Sequence, residues 1–478
     1  MKIKETKTEE IQISKKIKNI LCEKKFKYIA LFWTIISIQF ILGRNLEKRG
    51  HIYNGVKNLC IDICMCIFLS IIFIALHYCI LKLFEIKKKD KKEEKNINSK
   101  HSFWIYFLII FVCWIPTVLA FYPCIFGYDG PYQILNLLIL NLIQHHPIVI
   151  TLLYSGFFSF GLNINSPTIG MFLFALFQMA LMAFIFAHTV KFISENTNKK
   201  WLRNISILFY ALYPYNQLFS ITTTKDVIFA GLMLVFIIQL YKMIDNKCKI
   251  PDYIFLVIIG ILMLLSRNNS VYTLIVSLPL IVLILLKQKE KCIKIGVALL
   301  AIIIMYKGIN NSLYKIFNNK PITDIKNEET IIKASNDEGN LRTSTFSQLV
   351  GRTVRDNEDE LTQEEKEKIS YYFKDYKELG NKYQKNIVDS ASRMINPKNI
   401  RNNKKDFLDF CIKLGMKYPM SYVESILDTT RGYWYMADTS FSEIEMYDCP
   451  GAFELYDFKI AKENYRINYD SKLPKLKE

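Results

Sequence analysis

One isolated carboxylate is the first candidate for chemistry. In the stretch FYPCIFGYDGPYQILNLLILNLIQHHP, Asp129 is the only formal charge. A carboxylate among aromatic and apolar residues loses part of its hydration and becomes a stronger base, which suits it to taking a proton from a hydroxyl group. Tyr128 and Gln133 flank it as predicted substrate-binding residues. Asp129-Gly130-Pro131 is also favourable turn chemistry, so a helix cap or turn is the alternative interpretation.

A histidine pair closes the same stretch. His145 and His146 could bind a divalent metal ion together with Asp129, or one of them could assist proton transfer. Neighbouring residues of a regular helix point about 100° apart, so both reach one ion only from an extended chain, which Pro147 favours. We therefore predict Asp129, His145 and His146 as catalytic residues, with Asp129 and His146 as candidate metal ligands. Interfacial histidines without a chemical role are the alternative.

Two cations are candidates for binding a phosphate. Lys225 stands in TTTKD, where hydroxyl groups and the free amides of a helix start would assist it. Arg267 interrupts an apolar stretch from 254 to 286, and an arginine near a bilayer is costly unless it faces a polar cavity or the interface. Its neighbour Asn268 is a further predicted substrate-binding residue. The alternatives are a capped helix for TTTKD and a simple turn for SRNNS.

An aromatic cluster lies near the C-terminal end. The sequence DTTRGYWYMAD at 428–438 combines Arg431 with three aromatic residues, of which Trp434 is the predicted substrate-binding residue. Aromatic faces beside a cation and carboxylates are typical of carbohydrate binding. A hydrophobic core or an aromatic belt at a membrane interface uses the same residues and is the alternative.

Long apolar runs must position these residues. The chain has 478 residues, of which 51% are hydrophobic, and its uncharged runs approach the length that crosses a bilayer as a helix. This excludes a single soluble domain and a disordered chain. The net charge of +18 comes largely from Lys beside apolar runs, which indicates membrane topology rather than nucleic-acid binding. The runs lie at 28–43, 59–84, 103–121, 147–162, 168–190, 204–221, 227–241, 253–265, 271–286 and 295–309.

The distribution of Lys and Arg between loops predicts the orientation. If every run crosses and the N-terminus is cytoplasmic, the loops hold 18 Lys+Arg inside and 15 outside. If the run at 147–162 lies along the outer surface instead, the split becomes 27 inside to 6 outside. The positive-inside rule favours the second arrangement. Every motif described above then lies on the outer face.

The predicted fold is an α-helical polytopic membrane protein with about nine transmembrane helices and outer juxtamembrane helices. Residues 1–27 form a cytoplasmic tail, and 28–309 form the transmembrane domain with an outer catalytic loop at 122–167. Residues 310–478 form a mainly helical, soluble extracytoplasmic domain, in which Thr362 and Glu365 predict a helix-opening capping box.

The order of the motifs carries a resemblance. The series YPxxxxYDxxxQ, HHPxxxTLL, TTTKDxxF and RNNxxY resembles an uncharacterised family of bacterial polytopic membrane proteins, which is similar to the GT-C glycosyltransferase superfamily. That superfamily includes protein mannosyltransferases and aminoarabinose transferases. The resemblance covers about residues 100–275 and extends weakly to GYW near 432–434.

The resemblance implies an enzyme of the bacterial plasma membrane. Such enzymes transfer a sugar from a polyprenyl-phosphate donor to an envelope glycan, lipid or protein on the outer face. Asp129 occupies the place of the acidic residue of the first external loop, and Lys225 and Arg267 are candidates for the donor phosphate. The lone Asp, without a second acidic residue, leaves dependence on a divalent metal open. Relatives continue with further membrane helices, which implies that this chain is shortened.

Two other functions remain open at this level. A transporter or flippase of envelope precursors would need charged residues near the membrane midplane, and Asp62 is the clearest such group. A non-catalytic envelope assembly protein would use the C-terminal domain to bind a partner. In each case the bilayer is a partner and nucleic acid is not.

Overall fold

The computed structural model describes residues 24–83, 99–127, 129–138, 146–197, 199–245, 248–285, 288–317, 344–385, 387–437, 471–473 and 475. Within these residues every regular element is an α-helix, apart from one isolated bridge between Ile125 and Thr222. The chain divides into two compact units, Met1–Glu85 with Asn336–Ile444 and Ile86–Ser335 with Glu445–Glu478. We call them the split unit and the central unit.

The split unit begins with a pair of long apolar helices, α1 (Lys24–Arg49) and α2 (Val56–Leu83). Asp62 lies on α2 and is buried against α1, where its Oδ2 accepts a hydrogen bond from Asn45 Nδ2 at 2.7 Å and lies 3.5 Å from Arg49 Nη1. The carboxylate that the sequence leaves isolated in an apolar run is therefore paired with a cation at the end of α1.

The central unit contains ten helices among its described residues. The long ones are mostly apolar and meet in one large core that includes Trp114, Tyr154 and Phe174. Proline or a polar cap marks several starts: Ser166 Oγ accepts from the amide of Ile169, and Pro167 opens the helix that follows. The helices are α3 (Ser99–Ala120), α4 (Asp129–Leu138), α5 (Ile148–Asn163), α6 (Pro167–Asn196), α7 (Lys200–Leu212), α8 (Pro214–Ser220), α9 (Lys225–Asp245), α10 (Ile250–Ser266), α11 (Ser270–Leu285) and α12 (Lys289–Phe317).

Six of the described helices are long and apolar enough to cross a membrane: α1, α2, α3, α6, α9 and α12. Three shorter apolar helices, α5, α10 and α11, have 16, 17 and 16 residues. The run at 204–221 divides at Tyr213 into α7 and α8, because Pro214 has no amide hydrogen to continue the first helix. The described chain has the architecture of a helical polytopic membrane protein.

The C-terminal part of the split unit is a cluster of short helices around a compact core. The predicted capping box is confirmed, since Thr362 Oγ1 accepts from the amide of Glu365 and Glu365 Oε2 accepts from the amide of Thr362. The core includes Ile369, Phe373 and Phe407. The helices are α13 (Ser344–Asn357), α14 (Gln363–Phe373), α15 (Tyr376–Lys382), α16 (Val388–Ser392), α17 (Pro397–Asn402), α18 (Lys404–Lys417) and α19 (Pro419–Trp434).

These C-terminal helices join α1 and α2 in one unit, which differs from the sequence-based division of the chain at residue 310. The reason lies in specific contacts. Glu424 on α19 accepts a hydrogen bond from the backbone amide of Ile52, and the ring of Tyr435 packs against Phe40 on α1 at 5.7 Å between centroids.

Candidate active site

A short backbone pairing brings two distant loops of the central unit together. The amide of Ile125 donates to the carbonyl of Ile221 at 3.1 Å, and the amide of Thr223 donates to the carbonyl of Ile125 at 2.8 Å. The first loop leads from α3 into α4, and the second leads from α8 into α9. The pairing therefore places the first residues of α4 and α9, Asp129 and Lys225, side by side.

Glycine permits the close approach of these loops. A Cβ atom on Gly130 would overlap the hydroxyl group of Thr223 and would lie 2.8 Å from its carbonyl oxygen. The Thr223 hydroxyl also accepts a hydrogen bond from the amide of Gly127 at 3.0 Å. Any side chain at position 130 must push the loops apart or displace Thr223.

A side chain of α6 also fixes the position of the loop before α9. Gln178 is fully buried, and its amide nitrogen Nε2 lies 3.3, 3.0 and 2.8 Å from the carbonyl oxygens of Phe219, Ser220 and Thr222. One side chain thus contacts three backbone carbonyl groups within a stretch of four residues. The sequence identifies this residue only as a glutamine on an apolar helix, and its role depends on the fold.

Asp129, Lys225 and His146 meet at one carboxylate oxygen. Lys225 Nζ lies 2.5 Å from Asp129 Oδ2, and His146 Nδ1 lies 4.0 Å from the same atom. His146 is buried and Lys225 nearly so, whereas the Asp129 side chain keeps 35% of its accessible surface. Tyr314 on α12 donates to the backbone carbonyl of His146 at 2.8 Å, which fixes the chain just before α5. An accessible carboxylate between a cation and an imidazole can exchange a proton with a bound hydroxyl group.

A second ion pair lies directly beside the first. Asp226, which follows Lys225 in the first turn of α9, bonds to the guanidinium group of Arg267 at the end of α10. The guanidinium carbon lies 5.6 Å from the centroid of the Phe229 ring. Arg267 therefore bridges α9 and α10 next to Lys225. Asn268 is the next residue in the turn that connects α10 with α11.

Gln133 lies on α4, one helical turn after Asp129, and is fully buried. The hydroxyl group of Thr151 on α5 donates to its side-chain oxygen at 3.2 Å. Its amide nitrogen has no hydrogen-bond partner within the part of the chain that the structure describes. The side chain thus joins α4 to α5 and retains donor capacity.

Helices α5 and α9 leave this cluster in opposite directions along α6. Phe157 and Gly161 on α5 pack against Phe174 and Gly170, in the first half of α6. On α9, Tyr241 packs against Phe192 near the end of α6. Both helices begin beside Asp129, so they extend away from it to opposite sides.

The remaining sequence predictions have different outcomes. Tyr128 and His145 lie outside the described residues. Trp434 belongs to the split unit, where its indole nitrogen donates to Thr430 Oγ1 at 3.1 Å. The hydroxyl group of Thr222, which the sequence interpretation directs at a phosphate, donates instead to the carbonyl of Leu218 at 2.8 Å.

The sequence analysis did not identify two residues of the cluster as parts of the site. Asp226 was considered only as a helix cap, yet it is the partner of Arg267. Tyr154 on α5 is fully buried, and its hydroxyl group has no hydrogen-bond partner among the described residues, although the negative charges of Asp129 and Asp226 are near enough to affect it. A tyrosine within an apolar run gives no signal of such a position, because membrane helices contain many aromatic residues.

The described residues do not fit a metal centre at Asp129. They offer two ligands there, and the Lys225 ammonium already bonds to the carboxylate oxygen that a cation would need. Three candidate ligands come within 4.8 Å of one another at His51, Asp356 and Glu424 of the split unit, the one such group in the described ranges. The guanidinium group of Arg352 bonds to Glu424, which opposes a metal cation there as well.

The apolar helices of the described residues define the class of protein, a helical polytopic membrane protein. The chain belongs to DUF6020, a family of unknown function, whose pattern matches residues 139–470. The matched region includes His146, Lys225 and Arg267 and begins ten residues after Asp129. No curated protein and no solved structure matches the chain.

Proposed function

We propose that this protein is an integral-membrane glycosyltransferase of the GT-C type, which transfers a sugar from a polyprenyl-phosphate donor to a cell-envelope acceptor. The observation that carries the proposal is the meeting of Asp129, His146 and Lys225 at one carboxylate oxygen, with the Arg267–Asp226 pair on the next residue of α9. A base and two phosphate-binding cations are what such a transfer requires. The five residues of the cluster come from four separate segments of the chain.

In the proposed reaction Asp129 accepts the proton of the acceptor hydroxyl group. The acceptor oxygen forms a bond to the anomeric carbon of the sugar as the bond from that carbon to the phosphate oxygen breaks. The electron pair of the broken bond leaves with the polyprenyl phosphate, whose charge Lys225 and Arg267 stabilise. His146 lies where it can take the proton onward from Asp129.

The two ion pairs imply that binding of the donor changes the basicity of Asp129. Without a donor, each cation neutralises a neighbouring carboxylate, so the site carries little net charge. A bound phosphate competes with Asp129 for the Lys225 ammonium. As Lys225 turns to the phosphate, Asp129 loses a stabilising cation and becomes a stronger base. Donor binding thus prepares the carboxylate for the acceptor.

The orientation belongs to the same proposal. The split of 27 Lys+Arg inside to 6 outside supports a cytoplasmic N-terminus, nine crossings and a site on the outer face of the bacterial plasma membrane. The opposite directions of α5 and α9 support the noncrossing role given to 147–162. Since α9 is long enough to span and α5 extends the other way from Asp129, α5 is a juxtamembrane helix in this arrangement.

A transporter function receives less support. The residue that favoured it, Asp62, is buried against Asn45 and lies 3.5 Å from Arg49. A carboxylate that carries an ion across a membrane must release its partner during each cycle. Asp62 instead joins the ends of α1 and α2, which is a structural role.

Envelope analysis of a deletion strain tests the proposal. The strain is expected to lack one sugar from an envelope glycan, lipid or protein, as measured by mass spectrometry against the parent. Its lipid-linked donor should still reach the outer face, where a membrane-impermeant oxidant modifies it. A donor confined to the inner face would indicate a flippase, and an unchanged envelope would contradict both functions.

A further inference from the structure

Helix α19 of the split unit has an inverted distribution of polarity. The residues on its outward face are Met420, Val423, Ile426 and Tyr433, with exposures between 46% and 84%. Their spacing of three, three and seven residues places them on one side of the helix. The inward face carries the polar residues, and these are Ser421, Glu424, Ser425, Asp428 and Arg431, all buried.

A buried ionic network accounts for the inward face. Arg352 on α13 is fully buried and bonds to Asp428, to Glu424 Oε2 at 2.6 Å and to the carbonyl of Gly50 at 2.5 Å. Asp428 also accepts from Arg431 at 3.2 Å. The charges of α19 are therefore satisfied inside the unit, and none remains to face outward.

Helix α14 of the same unit has the usual polarity. On α14 the buried residues are Ile369, Tyr372 and Phe373, whereas Glu364 and Glu367 are exposed. The inverted polarity is thus a property of α19 and not of the whole unit. In water, an outward face made of Met, Val, Ile and Tyr is unfavourable because it leaves apolar surface hydrated.

The position of α19 beside α1 indicates what covers this face. Near its start, Glu424 accepts from His51 and Ile52, which follow α1. At its end, Tyr435 packs on Phe40 of α1. Helix α19 therefore runs back along a helix that is long and apolar enough to span a membrane. Phe40 lies nine residues before Arg49, which at 1.5 Å per residue is about 13 Å along the helix axis.

We propose that the outward face of α19 is embedded in the bilayer and contacts lipid acyl chains. The helix enters beside the end of α1 and descends along it, so Ile426 lies near the end of the membrane-spanning segment and Tyr433 lies deeper, near the level of Phe40. The inward network then lies on the opposite side of α19 from the lipid, where its charges are shielded from the acyl chains. The C-terminal helices of the chain are in this way a membrane-attached structure and not a free soluble domain. This holds whether or not the protein transfers a sugar.

Photocrosslinking in native membranes tests the proposal. The photoreactive residue p-benzoylphenylalanine replaces Ile426 or Tyr433 in the full chain, and mass spectrometry identifies the adducts after irradiation. Glu364 on α14 is the matched control, since it is exposed on an ordinary polar face of the same unit. We expect phospholipid adducts at 426 and 433 and none at 364.

The alternatives have distinct signatures in the same experiment. A crosslink between two copies of the chain at 426 and 433, without lipid, would make the face a dimer contact and overturn the proposal. Crosslinks to another protein, or no adduct beyond that of the control, would overturn it too. Both replaced residues are exposed, so unfolding is not expected, and unchanged thermal unfolding of the purified variants verifies this.

Discussion

At the scale of single residues, the cluster consists of two ion pairs, and each pair has one member on α9, at the adjacent positions 225 and 226. Asp129 bonds to Lys225, and Asp226 bonds to Arg267. The two cations differ in what they offer a phosphate. The ammonium group is a compact point charge, whereas the planar guanidinium group can bind two phosphate oxygens at once.

This difference leads to a prediction for Arg267→Lys. The substitution keeps the charge but loses the bidentate geometry, and we expect donor binding to weaken by about 1–3 kcal/mol for each charged hydrogen bond removed. Binding of a polyprenyl phosphate to the purified protein in detergent measures it. Arg203→Lys on α7 is the matched control, because Arg203 is bonded only to its neighbour Asn204 in the described structure. Equal affinity in all three proteins would remove Arg267 from the phosphate site.

Residue types allowed Asp129, His146, Lys225 and Arg267 to be selected from the sequence, each as an uncommon polar group among apolar residues. Their pairing could not be selected in this way. Asp129 and Lys225 are 96 residues apart, and they meet through the short backbone pairing of Ile125 with Thr222. A two-residue pairing has no periodic pattern, so only the folded chain reveals it.

At the scale of elements, the loops at the site depend on a glycine. Gly130→Ala places a methyl group into Thr223, and we expect a loss of about 1–3 kcal/mol in the free energy of unfolding, typical of overpacking. Gly156→Ala on α5 is the control, since a Cβ atom there meets nothing within 4 Å. Alanine stabilises a helix relative to glycine, so the control should unfold at an equal or higher temperature. Equal unfolding temperatures in the two variants would contradict the close packing of these loops.

The capping box of α14 gives a pH-dependent prediction. Burial alone would raise the pKa of Glu365, but hydrogen bonds from Lys417 and from the amide of Thr362 lower it below its usual value. A carboxylate with a lowered pKa in the folded state stabilises the fold above its unfolded pKa, and this stabilisation disappears as the pH falls. Glu365→Gln keeps a capping acceptor and loses the charge pair with Lys417.

We therefore expect Glu365→Gln to lower the unfolding temperature at about pH 7 and to have little effect at about pH 3, where glutamate is protonated. Thermal unfolding of the purified protein at the two pH values measures the difference. Glu364→Gln is the control, because Glu364 is exposed in the same turn. A difference between Glu365→Gln and the parent that is the same at both pH values would contradict the role of the charge.

The helices α14 and α19 show which features of a helix can be predicted from the sequence and which cannot. The pattern Thr362 to Glu365 predicts a helix start correctly, because the cap is a local interaction. On α19 the sequence defines one apolar and one polar side, but it does not say which side is buried. Burial of the polar side requires Arg352, which lies 72 residues before Glu424 and 76 before Asp428. From the sequence, the aromatic residues near Trp434 therefore remain open to carbohydrate binding, a hydrophobic core or an aromatic belt at a membrane interface.

At the scale of the whole molecule, the first two helices of the chain and its C-terminal helices pack together in one compact unit. Glu424 and Ile52 are 372 residues apart and directly bonded. Apolar runs reveal the membrane helices from composition alone, whereas such distant pairings leave no trace in local sequence. For this reason the class of fold was predictable and the grouping of helices into units was not.

The orientation gives a prediction for chemical labelling. Asn163, at the end of α5, should face the outside, and Lys289, at the start of α12, the cytoplasm. A cysteine introduced at Asn163 is expected to react with a membrane-impermeant reagent in whole cells, beyond the background of the parent protein. A cysteine at Lys289 should react only after permeabilisation. The reverse result would place the candidate site on the cytoplasmic face and contradict the proposed donor orientation.

The central claim is that the Asp129 carboxylate performs the transfer. Asp129→Asn keeps the size of the side chain and an acceptor for Lys225, but it loses the charge and the basic oxygen. The most direct measurement is mass spectrometry of envelope sugars in the deletion strain complemented with Asp129→Asn, with Glu290→Gln, an exposed carboxylate on α12, as the control. With equal protein levels in the membrane, we expect Glu290→Gln to restore the missing sugar and Asp129→Asn to leave it absent. Restoration of the sugar by Asp129→Asn would contradict the claim and leave Asp129 as a structural residue at the start of α4.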